Sequence, residues 1–167
     1  MTARLFLCLG GALALSGCAT APGSCDATNR DVSMITKMNC DYTGGYSDQV
    51  RSNEKALTDA QNENAMFKRV YDNIAAEQAS TRKDLQSQQQ AQATLNQSLG
   101  QLLSTLKTRH ANKAGVQKQI NALQSQLQAA QSQPATSNPA QLAAKQEELK
   151  TLQKKVSKLQ LSLGYDE

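Results

Sequence analysis

Aromatic side chains are scarce. The 167 residues include no Trp, two Phe and four Tyr, and one of those Phe, Phe6, lies close to the N-terminus. So little ring area leaves few anchors for a ligand pocket. Histidine is equally rare: His110 is the only one, and no glycine-rich phosphate loop, metal-ligand cluster or Ser, His, Asp arrangement accompanies it. Catalysis needs converging groups in a water-excluding site, so no enzyme activity, cofactor or metal is expected. At 39% hydrophobic residues and a mean hydropathy of -0.55, the chain falls below the apolar share of a globular domain. That disfavours a large compact core. Three Pro and nine Gly, set against abundant Ala, Gln, Leu, Lys and Ser, favour extended helix over sheet.

The N-terminus carries one basic residue, Arg4, and then an apolar stretch from Leu5 to Ala14, too short to hold a bilayer as a stable span. It reads as a secretory signal. Leu15 Ser16 Gly17 Cys18 follows, and this resembles the lipobox of bacterial lipoprotein precursors. The resemblance implies cleavage before Cys18 and acylation on it, by palmitate or similar chains, with residues 1–17 removed as signal peptide. Ala19 rather than Asp at the next position implies the outer membrane, facing the periplasm, in a diderm cell. Loss of Arg4 lowers the formal charge from +4 to +3, too small an excess to imply nucleic acid as partner. Membrane contact is expected from lipid, not from an amphipathic helix.

With Cys8 in the signal and Cys18 lipidated, Cys25 and Cys40 remain in an oxidising compartment. An intramolecular disulfide is the favoured expectation, with intermolecular bridges between identical chains as the alternative. It would close a loop of about 15 residues and stabilise by roughly 3 kcal/mol on the chain-entropy argument. Residues 18–24 then form a lipidated tether and 25–46 a disulfide-tied cap with one or two helical turns after Asp31.

From residue 47 the pattern becomes heptad. Val50, Leu57, Leu85, Leu99, Leu106, Ile120 and Leu127 recur at one position, and Phe67, Ile74, Leu95, Leu102 and Leu123 recur three residues later. An all-α fold follows: a long coiled-coil helix over 47–130, about 120 Å if continuous. A repeat kept this long requires a partner helix over its seam. Glu63 and Glu77 at g, with Lys68 and Arg82 five residues on at e, have the spacing of interchain pairs in a parallel homo-oligomer, dimer or trimer. Two weak patches interrupt the seam, Gln78, Thr81, Gln88 and Gln92 in the middle and Arg109 with Lys113 further on, and either can be a bend. His110 is expected on the surface. The loop 131–140 holds Pro134 and Pro139, and a second helix over 141–164 repeats Leu142, Leu149, Val156 and Leu163, with Gly164 as its stop. A connection this short predicts an antiparallel helical hairpin at the distal end.

Coiled-coil envelope lipoproteins share the lipobox and heptads, but Braun-type murein lipoproteins end in a Lys joined to peptidoglycan. Here the chain ends Gly164 Tyr165 Asp166 Glu167, which argues against covalent attachment to the wall. The sequence therefore points to a non-catalytic structural or interaction lipoprotein of the cell envelope. The alternative is an accessory subunit of a secretion, conjugation or efflux assembly whose distal hairpin docks on an envelope protein. A surface-exposed adhesin or exclusion factor is a third reading.

Overall fold

The computed structural model describes residues 25–165. These residues form an all-helical fold without strands: α1 (Met34–Tyr42), α2 (Gly45–Ser80), α3 (Leu85–Arg109), α4 (Ala114–Gln131) and α5 (Pro139–Leu163). None of the described helices is long and apolar enough to cross a membrane. The chain divides after Lys55, within α2, into two compact units.

The first unit is tied by the Cys25–Cys40 disulfide, with Cα atoms 5.5 Å apart. Short polar side chains shape the loop between the two cysteines. Asp26 Oδ1 accepts from Thr28 N at 2.8 Å, Asn29 Oδ1 from Asp31 N at 3.0 Å, and Ser33 Oγ caps α1 through Thr36 N. Gly44, at φ 77, supplies the left-handed turn into α2. At Gly45 a Cβ would lie 2.5 Å from Cys25 Sγ, so only glycine lets the helix start against the disulfide.

In the second unit α2, α3, α4 and α5 pack around one core. Phe67, Val70 and Ile74 come from α2; Leu95, Leu99, Leu102, Leu103 and Leu106 from α3. Val116, Ile120 and Leu123 of α4 and Leu149, Leu152, Val156 and Leu159 of α5 complete it. Backbones come closest between α3 and α4 and between α4 and α5. By contrast, α2 reaches its neighbours through long side chains, as in Tyr71 Oη donating to Gln160 Oε1 at 2.8 Å.

The stretch expected as one helix over 47–130 is three helices, and both weak patches of the seam are where the chain turns. At 81–84 the hydroxyls of Ser80 and Thr81 donate to the carbonyls of Glu77 and Gln78, competing with helix continuation. Asp84 then restarts the helix by accepting from Ser87 N at 2.8 Å, and Gln88 Nε2 donates back to Lys83 O. At 110–113, Gln117 Nε2 donates to the carbonyls of Lys107 and His110, which satisfies the open end of α3. Lys107 and Arg109 in its last turn complement the helix dipole. The third connection, 132–138, ends at Asn138, whose Oδ1 accepts from Ala140 N ahead of a helix with Pro139 in its first turn. Gly164, at φ 85, closes α5.

Candidate functional site

Of the residues singled out in the sequence, Cys18 lies outside the described residues. Cys25 and Cys40 are bonded to each other. Phe67, Ile74, Leu95, Leu99, Leu102, Leu106, Ile120 and Leu123 are buried in the second unit, and Leu127 is partly buried against them. Val50, Leu57 and Leu85, at the same heptad position as Leu99, are exposed at 55%, 60% and 46%.

The reason is a change of stripe. In α2 the buried positions are Glu63, Phe67, Val70, Ile74 and Glu77, spaced by four and three, with Ser80 at the helix end. Phe67 and Ile74 keep their expected place, but their companions are the residues assigned to g, not the a positions Asn64 and Tyr71. Glu63 and Glu77 therefore do not stand at the rim facing another chain. Each turns inward to a cation of its own chain, and Lys68 and Arg82, the partners expected across an interface, are exposed.

Glu63 is the centre of a buried polar cluster. It is 2% exposed. Its Oε1 accepts from Arg109 Nη1 at 3.1 Å, and its Oε2 accepts from Tyr165 Oη at 2.6 Å. His110 Nε2 lies 2.9 Å from the same Oε2; an ionised carboxylate only accepts, so this nitrogen carries the proton. Arg109 continues to Asp59 Oδ1 and to the Asp59 carbonyl, both at 2.9 Å. Burial pushes the Glu63 carboxyl up, but the hydrogen bonds of Tyr165, His110 and Arg109 outweigh it and hold the group below the ordinary carboxylate range. The same geometry, burial first and the Glu63 carboxylate second, pushes the Tyr165 hydroxyl up. Its ring stacks edge-on to Phe67, with centroids 6.3 Å apart. The side chain of His110, expected on the surface, is 16% exposed and belongs to this cluster. The cluster ties the end of α3, and Tyr165 two residues beyond α5, to α2.

A second cluster borders a cavity. Lys145 Nζ donates to Glu77 Oε1 at 2.9 Å and to Gln92 Oε1 at 3.0 Å, and both charged side chains are nearly buried. Gln92 Nε2 in turn donates to Ala130 O at 2.7 Å, closing the end of α4. Beside this pair lies a cavity of about 150 Å³, walled by Leu95, Leu99, Leu127, Leu149 and Leu152. It can take one small apolar group, with Lys145, Glu77 and Gln92 among the polar residues that line it. Among the described residues no group of His, Cys, Asp and Glu is arranged to hold a metal ion.

Sequence reading put Glu63 and Glu77 in interchain pairs and His110 on the surface, and gave Tyr165 and Lys145 no role. The available signal was the seven-residue spacing of Glu63, Val70 and Glu77 interleaved with Phe67 and Ile74. Family models, curated proteins and solved structures were all compared with the chain, and none matches it.

Proposed function

We propose that this chain is a lipoprotein of the bacterial cell envelope, cut before Cys18, acylated there and held at the outer membrane facing the periplasm. It acts as a non-catalytic structural or interaction element. The observation that carries the reading is the apolar stretch Leu5 to Ala14 running into Leu15 Ser16 Gly17 Cys18. The Cys25–Cys40 disulfide supports it, because such bonds persist in oxidising compartments outside the cytoplasm. Several acyl chains give firm anchoring, since each buried methylene adds about 0.8 kcal/mol.

Cys18→Ser tests it. The wild-type chain partitions with detergent-solubilised membranes and incorporates labelled palmitate; the variant does neither. Equal partitioning of both removes the anchor.

One observation favours a second reading, an accessory subunit of an envelope-spanning secretion, conjugation or efflux complex. The cavity beside Lys145 reaches Gln133 in the 132–138 connection and has room for one apolar side chain of a partner. Photocrosslinkers placed at Gln126 and Gln133 in membranes would capture that protein at fixed stoichiometry. Self-crosslinks alone would leave the structural reading.

A further inference from the structure

Among the described residues, one helix face of the first unit has no covering partner. Met34, Ile35, Met38 and Tyr42 of α1 are 80%, 81%, 69% and 93% exposed. At 100° per residue they fall within one arc of about 100°, and Cys40, fully buried at the disulfide, lies on the opposite side. A nine-residue helix thus turns its small side inward and presents its large apolar residues outward. Contiguous apolar exposure of this kind marks a contact surface rather than scattered surface residues.

We infer that this face of α1 lies in the headgroup region of the lipid bilayer that holds Cys18, as a second, non-covalent point of membrane contact. The inference rests on the lipoprotein reading above. Its geometry comes from the covalent chain. From Cys18 to Cys25 the backbone spans at most about 25 Å, seven residues at roughly 3.5 Å each. The disulfide adds 5.5 Å from the Cys25 Cα to the Cys40 Cα, inside α1. The helix is therefore confined to within about 30 Å of the acylated residue, where a short tether keeps the local concentration of membrane surface high.

The chemistry of the face suits that occupant. Met is unbranched and adapts to an irregular apolar medium, and Tyr presents a ring with a polar tip, as residues at membrane interfaces do. Lys37 and Asp41, exposed beside the arc, carry opposite charges, so the face has no built-in preference for anionic lipid. A second copy of the chain fits less well. Stable pairs bury about 800 Å² and roughly 20–30 residues per partner, whereas this face offers four large apolar residues on a nine-residue helix.

The chain has no Trp, so Met38→Trp introduces a single fluorescent reporter at an exposed site, and Ile35→Trp provides a second. The full mature protein, purified from membranes, is reconstituted in phosphatidylcholine vesicles brominated on the acyl chains. Its Cys18 mass and thiol content are measured on the same sample. With acylated Cys18 and no free thiol, emission at both positions is expected to shift to the blue and to be quenched by bromine. Acylated protein whose emission stays red and unquenched overturns the inference and leaves the anchor standing. A blue shift without quenching, together with dimers in sedimentation, also overturns it by assigning the face to a second copy. An unmodified Cys18 removes both the anchor and the inference.

Discussion

At the scale of single residues the buried cluster around Glu63 sets the strongest expectations. Glu63→Gln keeps the size but leaves Arg109 and His110 facing a neutral amide, so it should cost about 2–3 kcal/mol in urea unfolding. Tyr165→Phe removes one hydrogen bond and keeps the ring against Phe67, so its cost should be smaller, about 1–2 kcal/mol. The Glu63 carboxyl is held below its ordinary value in the folded chain. Its contribution is therefore fully present above the unfolded pKa, near 4.3, and is lost as pH falls through the lower, folded value. Stability measured from pH 7 down to pH 3 should fall more steeply for the wild type than for Glu63→Gln. Parallel slopes would show that Glu63 ionises alike in both states. Little of this cluster was legible in the sequence, because its members come from residues 59 to 165 and meet only after three turns of the chain. A lone His next to Arg109 in a polar stretch carries no signal of the carboxylate it will meet.

At the scale of elements the heptad pattern correctly indicated helix, the Gly164 stop was readable from its residue type, and the disulfide was expected once the lipobox resemblance had set Cys8 and Cys18 aside. The continuity of the long helix was not. A seven-residue repeat survives a turn when the intervening residues preserve the count, so Leu85 to Leu106 continued the numbering of α2 although the helix had ended at Ser80. The stripe also rotated: α2 buries Val70, while Asn64 at the expected seam is exposed. Val70→Ala should cost about 2 kcal/mol, and Asn64→Asp should stay within about 0.5 kcal/mol of wild type. The reverse ranking would restore the original register. In the first unit, Cys25→Ser should free a titratable thiol at Cys40 and weaken the fold of the cap, by roughly 3 kcal/mol on the loop-entropy argument. Thiol titration and amide exchange in α1 check both effects.

At the scale of the whole molecule, the seam that called for a second chain is covered from Phe67 to Leu123 by the chain's own helices. On that packing, the urea midpoint of the second unit should be independent of protein concentration over a hundredfold range. A midpoint that rises with concentration would place part of the core between chains. Composition suggested little core because it averages over the chain, whereas the apolar residues concentrate on four facing stripes. The envelope assignment stands on residues at the other end, where four letters before and including Cys18 carry the claim. The most direct test is mass spectrometry of the N-terminal peptide of the mature protein extracted from membranes. A chain that begins at Cys18 and carries the mass of acyl groups on that residue is the predicted result; one that keeps residues 1–17, or begins elsewhere with an unmodified Cys18, would contradict the account.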